Sequence, residues 1–304
     1  MSGYDPADWR RPLETRREVT LAPDGPDDPT IRFAIVWKQL PPALFTLPNL
    51  KAIFSAGAGV DHLLANPKLP EVPIVRVVAD NLTKHMVEYV CWRVLDHHRQ
   101  GSTYRAQQPQ KIWHEPRQPD ASQVSVGIMG LGNLGRACAS ALLALGFPVN
   151  GWTRTETEME GVRCWHGADG LPGFLATTDV LVVLLPLTAA TQGVINYDLL
   201  RQLRHDGPLG GPVLINAGRG RLQREADILR ALDDGALKEA SLDVFETEPL
   251  PAESPLWSHH RVFVTPHAAA TSWPEHLVPL MLDQMDAFDR GEPLRNVVDR
   301  AAGY

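Results

Sequence analysis

The run Val124-Ser125-Val126-Gly127-Ile128-Met129-Gly130-Leu131-Gly132-Asn133-Leu134-Gly135-Arg136 restricts the fold more than any other stretch. A β-branched strand runs into three glycines spaced G-x-G-x-x-G, and an alanine-rich helical segment, Asn133 to Leu145, follows. In that setting Gly130 permits a tight turn and Gly132 lets backbone approach a pyrophosphate at the helix N-terminus. Gly135 lets helix and strand pack closely. The triplet alone is a weak signal, and its strand–turn–helix context strengthens it.

The segments around it extend the pattern. Strands are expected at Val149–Thr153, Val180–Leu185, Val213–Asn216, Ala240–Val244 and Val262–Thr265, with a helix at Arg224–Asp233. Strands alternating with helices imply a parallel sheet covered on both faces. Upstream, Thr30–Trp37, Lys51–Phe54 and Val72–Val78 read as strands, and Thr83–His98 has helical spacing through Met86, Val90, Val94 and His97. Pro274–Phe288 reads as an amphipathic helix. The expected architecture is α/β, with two Rossmann-like domains built on doubly wound parallel sheets. Residues 1–95 plus 274–304 form a discontinuous substrate domain, and 96–273 a dinucleotide-binding domain.

Composition sets outer limits. The chain has 304 residues and a formal net charge of −7, so it lacks the basic field that favours nucleic acid or anionic membranes. Its N-terminus has no apolar signal segment, and its longest apolar run, Val180 to Leu187, is too short to span a bilayer. Cys91, Cys138 and Cys164 are odd in number and have no CxxC spacing. They read as small core residues in a reducing cytoplasm.

An acid about 20 residues past the first glycine binds the ribose 2′-hydroxyl of NAD. This chain places Thr153, Arg154 and Thr155 there. A guanidinium flanked by hydroxyls suits a 2′-phosphate, which points to NADPH. A solvated loop arginine is the plainer alternative. Glu156 and Glu158 lie just beyond, so NADH stays open.

Ligands of open α/β sheets bind beyond the carboxyl ends of the strands. There the chain places Leu185-Pro186, Ala217-Gly218-Arg219, Asp243 followed by Glu248, and His267. Arg219 can grip a carboxylate bidentately and polarise an adjacent carbonyl. His267 can protonate a carbonyl oxygen as hydride reaches carbon, with Glu248 holding its ring. Asp243 reads as a support rather than a proton carrier. The structural alternatives are an interior histidine for His267 and an inter-domain ion pair for Arg219. Ala56-Gly57-Ala58-Gly59 reads as a backbone nest for a substrate carboxylate, or as a plain tight turn. Trp37, Leu40, Met86 and Trp113 are candidates for the pocket wall. The tandem histidines His97-His98 and His259-His260 do not share a face, which argues against a metal site.

Taken together, "GAGVDH", "GIMGLGNLGR", "VLINAGRGR", "LDVFETEPLP" and "VTPHAA" resemble the D-isomer-specific 2-hydroxyacid dehydrogenase family over nearly the whole chain. The resemblance implies Arg219, Glu248 and His267 as the catalytic set. It implies NADPH-driven reduction of a small 2-oxo acid, such as glyoxylate or hydroxypyruvate, to the 2-hydroxy acid by a homodimer. Gly130, Gly132, Asn133, Leu134, Gly135, Thr153, Arg154, Thr155, Leu185, Pro186, Ala217, Gly218 and Asp243 would serve the cofactor. Trp37, Ala58, Gly59, Arg219 and His267 would serve the substrate. A family enzyme with another substrate and a non-catalytic NAD(P)H-sensing binder remain the rival readings.

Overall fold

The computed structural model describes residues 5–21, 28–37, 40, 42–57, 59–76, 78–271 and 273–303. The chain divides into two compact units, Met1–Leu82 with Thr271–Tyr304, and Thr83–Ala270.

In the smaller unit, helix α1 (Pro6–Leu13) precedes strand β1 (Phe33–Val36). Strand β2 (Ala52–Ser55), the single-turn helix α2 (Asp61–Leu64) and strand β3 (Ile74–Arg76) follow. The strands are parallel in the order β1-β2-β3, with Phe33 opposite Ala52 and Ile53 opposite Ile74. All four residues of β2 are buried, as a central parallel strand covered on both faces requires. Trp9 and Leu13 of α1 pack on one face with Leu277, Met281 and Met285 of the C-terminal helix, Pro274–Asp289. The end of the chain thus returns to its beginning. Ion pairs line the same contact: Arg16 to Asp283 at 2.7 Å, and Arg17 and Arg32 to Asp289 at 2.8 Å each. Exposed pairs of this kind contribute up to about 1 kcal/mol each, so the buried leucines and methionines dominate.

The larger unit starts within helix α3 (Asp80–His98), earlier than the expected boundary at 95. The reason is packing. Met86, Tyr89, Val90 and Val94 of α3 join the hydrophobic core of the large sheet. Helix α4 (Gly101–Gln110), strand β4 (Val126–Met129), helix α5 (Asn133–Ala144) and strand β5 (Val149–Thr153) come next. Strand β6 (Val162–His166), helix α6 (Gly167–Ala176), strand β7 (Val180–Val183) and helix α7 (Tyr197–Leu200) follow. Strand β8 (Val213–Asn216), helix α8 (Glu225–Asp233), strand β9 (Glu239–Leu242) and strand β10 (Val262–Val264) complete it. The seven parallel strands lie in the order β10-β9-β8-β7-β4-β5-β6.

Alternate residues of each strand serve opposite cores. Val126, Ile128, Val180, Val182, Val213 and Ile215 meet Cys138, Ala139 and Leu142 of α5. Leu181, Val183, Leu214 and Leu242 meet Phe174 of α6 and Ile228 and Leu232 of α8. Cys138 is buried, and Cys91 and Cys164 are half-buried free thiols. Strand β6 and helix α6 have no counterpart in the sequence reading. Gly167, Gly170, Pro172 and Gly173 hide the helical period there. In the fold, Gly173 serves packing, because a Cβ would sit 2.4 Å from the Trp165 ring.

Candidate active site

Strand order reverses at β4, whose neighbours are β5 and β7. Crevices for ligands open at such a point, and the glycine loop stands there. Gly130 has φ 105°, and a Cβ on it would lie 3.0 Å from the Leu184 carbonyl oxygen. A Cβ on Gly135 would lie 1.9 Å from the Gly130 oxygen, so only glycine lets α5 settle on the loop. Gly132 differs: a Cβ there meets nothing within 4 Å. The space over Gly132 is therefore open on the side where a pyrophosphate would lie. Asn133 and Leu134 begin α5, whose first turn has no acidic residue and no side-chain cap on its N-terminal amides. Those amides and the helix dipole suit an anion. Leu185 is buried and Pro186 follows it, in a loop held by the Thr191 hydroxyl donating to the Pro186 carbonyl at 2.7 Å. The residues present thus fit a dinucleotide.

At the end of β5, Arg154 and Thr155 are exposed. The Thr153 hydroxyl donates to the Thr155 carbonyl at 2.6 Å, so its proton is engaged within the turn. Arg136 ties the two loops together, donating to the carbonyls of Leu131 and Glu158, each at 3.1 Å.

The segments after β8, β9 and β10 carry the candidate residues Arg219, Glu248 and His267. Asn216 is fully buried at the end of β8. Its side-chain amide donates to the Arg219 carbonyl at 3.1 Å and to Gln223 Oε1 at 2.8 Å, and its oxygen accepts the Gly218 N–H at 3.0 Å. Gln223 in turn donates to the Val244 carbonyl at 3.0 Å. The loop Ala217-Gly218-Arg219 is therefore pinned to the segment after β9. A Cβ on Gly220 would lie 1.8 Å from the Phe245 carbonyl oxygen, so that approach also requires glycine.

Glu248 is a bridge: Oε1 accepts the Phe245 N–H at 3.2 Å, and Oε2 lies 2.8 Å from His267 Nδ1. The carboxylate fixes the ring through Nδ1 and leaves Nε2 as the outward nitrogen. Asp243 is 1% exposed and holds the turn beneath the imidazole. Its carbonyl accepts the His267 N–H at 2.7 Å. Its carboxylate accepts the N–H groups of Ala268 and Ala269, at 2.8 Å and 3.0 Å, and the Thr265 hydroxyl at 2.6 Å. Burial pushes the Asp243 carboxyl above the usual range, against these donors and the nearby His267. His267 has φ 54°, a left-handed conformation uncommon for a residue with a Cβ.

The model of the family described as D-isomer specific 2-hydroxyacid dehydrogenase, NAD binding domain, matches residues 91–269. Glyoxylate/hydroxypyruvate reductase A of Salmonella newport is 40% identical over 294 residues, covering 95% of this chain and 91% of that protein. The chain is a member of this dehydrogenase family. The crystal structure of an NADPH-dependent glyoxylate/hydroxypyruvate reductase from Sinorhizobium meliloti, in complex with NADP and sulfate, is similar with a TM-score of 0.93. Identity is 45%, covering 99% of this chain and 98% of that one. A probable 2-hydroxyacid dehydrogenase from Rhizobium etli, in complex with NADP, HEPES and L(+)-tartaric acid, also has a TM-score of 0.93 at 45% identity. It covers 99% of this chain and 97% of its own.

Within this dehydrogenase-family chain, the larger unit brings together the glycine loop, Arg219, Asp243, Glu248 and His267 at strand ends of one sheet. Trp37 lies in the smaller unit, its ring against Gly57, where a Cβ would be 1.7 Å away. It also meets His62 edge-on at 5.7 Å. Gly59 is half-buried in the same loop, and Ala58 lies outside the described residues. Met86 is a buried core residue and Trp113 is fully exposed. Sequence reasoning missed Asn216, Gln223, Thr265 and Tyr89. Asn216 had one signal, a polar amide closing an apolar strand.

Proposed function

We propose that this chain is an NADP(H)-dependent reductase of small 2-oxo acids, glyoxylate and hydroxypyruvate among them, forming 2-hydroxy acids. The observation that carries the reading is the His267–Glu248 pair at 2.8 Å, at the strand ends of the sheet that holds the glycine loop. The NADP complexes of the Sinorhizobium and Rhizobium proteins, each 45% identical, support the choice of cofactor.

Bound NADPH supplies the hydride that adds to the carbonyl carbon. Arg219 grips the substrate carboxylate and draws charge toward the developing alkoxide. His267 gives the proton on Nε2 to that oxygen. Glu248 keeps the ring oriented through Nδ1. The uncapped amides at the start of α5, Asn133 and Leu134, would hold the pyrophosphate. Arg154, with Thr155, would hold the 2′-phosphate as a charge-assisted donor. Leu185, Pro186, Ala217 and Gly218 complete the cofactor's surroundings.

A homodimer in the cytoplasm is part of the proposal. Support comes from α4, which buries none of its residues, and from exposed Tyr104, Ile112 and Trp113 on and just beyond it. Light scattering behind a sizing column reads the mass.

The deciding experiment follows NADPH oxidation at 340 nm with glyoxylate, hydroxypyruvate and phenylpyruvate. Turnover of at least one acid is expected, with a loss of about 10²-fold or more in His267→Ala. A His267→Ala variant that turns over like the parent ends the assignment.

A further inference from the structure

We propose that Tyr89, acting through Thr265 and Asp243, holds His267 in its left-handed turn and so positions the imidazole that donates the proton. The inference rests on the reading of His267 as the proton donor.

Proton bookkeeping gives the chain its direction. Thr265 has one hydroxyl proton, and Asp243 Oδ1 accepts it at 2.6 Å. The Tyr89 hydroxyl, 2.8 Å from the Thr265 oxygen, must therefore be the donor of that contact. Burial pushes the Tyr89 phenol up, which keeps its proton in place. The far end of the relay is the Asp243 carboxylate, whose remaining capacity goes to the Ala268 and Ala269 amides. With the Asp243 carbonyl taking the His267 amide, one residue collects three consecutive N–H groups. Three amides converging on one residue fit a left-handed turn, and His267 adopts one at φ 54°. Left-handed residues other than glycine persist only where their surroundings over-determine them. Thr265 and Tyr89 supply that surplus.

The helix that carries Tyr89 is well anchored for the task. One and two turns along α3, Arg93 donates to Ser241 Oγ at 2.9 Å and His97 Nε2 lies 2.7 Å from the same oxygen. Ser241 belongs to β9, the strand that delivers Asp243. Tyr89, Arg93 and His97 thus lace α3 to the strand behind the candidate proton donor. None of them is a catalytic residue; Tyr89 and Thr265 are positioning residues.

The test compares Thr265→Val, Thr265→Ser and Tyr89→Phe with the parent enzyme. Thr265→Val is expected to lower kcat about tenfold, as loss of one buried charge-assisted hydrogen bond implies. KM for the 2-oxo acid and the affinity for NADPH should stay within about twofold. Thr265→Ser, which keeps the hydroxyl, should recover most of kcat, and Tyr89→Phe should fall between. Thr265→Val retaining full kcat, or Thr265→Ser as slow as Thr265→Val, overturns the proposal. A second readout does not depend on turnover. In protein labelled with 13C-histidine, the His267 ring signal, assigned by its loss in His267→Ala, should move in Tyr89→Phe and Thr265→Val and return in Thr265→Ser. An unmoved signal overturns the positioning role by itself. An inactive parent with a signal that moves as expected would sink the reductase reading and leave the relay standing.

Discussion

Two glycines three residues apart should respond to alanine in opposite ways. Gly135→Ala places a methyl group 1.9 Å from the Gly130 carbonyl oxygen, where a normal contact is well over 3 Å. Neither partner is a flexible side chain, so α5 must shift by about 1 Å or more. Overpacking of this kind destabilises by roughly 1–3 kcal/mol, which lowers Tm by about 2–10 °C in a unit of this size. Gly132→Ala meets no protein atom within 4 Å, and Gly132 has φ −76°, which alanine adopts freely. Alanine is a poorer N-cap, but it also restricts the unfolded chain, so the two small effects offset one another. Its Tm without ligand should match the parent to within about 2 °C. The methyl group instead occupies the approach to a pyrophosphate. We expect NADPH to bind at least about tenfold more weakly. At saturating NADPH the lost thermal stabilisation corresponds to about 1.4 kcal/mol. Differential scanning fluorimetry with and without NADPH, joined to calorimetric titration, reads both quantities. A Gly132→Ala variant with parental affinity would show that the dinucleotide does not cross this loop. A Gly135→Ala variant with parental Tm would show that the loop and α5 are less tightly engaged than the geometry requires.

Arg154→Asp replaces the candidate 2′-phosphate donor with a charge that repels it. The NADPH/NADH ratio of kcat/KM should fall about tenfold or more, and an unmoved ratio would discard Arg154 as the discriminator. Acid stability should depend on His97, which is buried against Glu239 Oε2 at 2.6 Å. Burial lowers its pKa from the ordinary histidine value, so the folded state takes up a proton later than the unfolded state. Its stabilising contribution is therefore complete above about pH 6.5 and is lost as pH falls below that value, by up to about 1.4 kcal/mol per pH unit. Urea midpoints measured at pH 7.5 and 5.5 should fall further apart in the parent than in His97→Gln, and equal losses would remove His97 from the account.

What was legible in the sequence was chemistry written consecutively. Gly130, Gly132 and Gly135 lie close together in sequence because the turn requires the first, the open approach above the loop the second, and the packing of α5 the third. Arg219, Glu248 and His267 could be grouped because each follows its own apolar strand, and parallel strands deliver such residues to one edge. The Gly- and Pro-dense stretch of α6 was illegible for the opposite reason. Gly170 and Gly173 answer to Trp165, a neighbour the local pattern does not reveal. The reading of Thr153 as a phosphate ligand overlooked a competitor two residues away, the Thr155 carbonyl.

Helix α3 shows most clearly where such reading stops. Its apolar positions, Met86, Val90 and Val94, announced a buried face, and that face is buried. His97 was grouped with that face by its spacing, but nothing announced that Tyr89 and Arg93 are buried as well, because a polar tip and a cation normally reach solvent. Arg93 is 1% exposed, yet it stacks 3.8 Å from the Phe263 ring centre and bonds to Ser241. A cation is tolerated there because the aromatic ring, the hydroxyl and Asp96, 3.1 Å from Nη2, replace part of its hydration. Every one of those partners except Asp96 comes from β9 or β10, well over a hundred residues away along the chain. Polar burial is a property of pairs, so a pattern of single residues cannot display it. The same argument explains why His267 and Asp243 could be singled out from sequence while Tyr89 and Thr265 could not: an imidazole or a carboxylate at a strand end suggests chemistry by itself, whereas Tyr89 and Thr265 gain significance only when the fold sets them 2.8 Å apart.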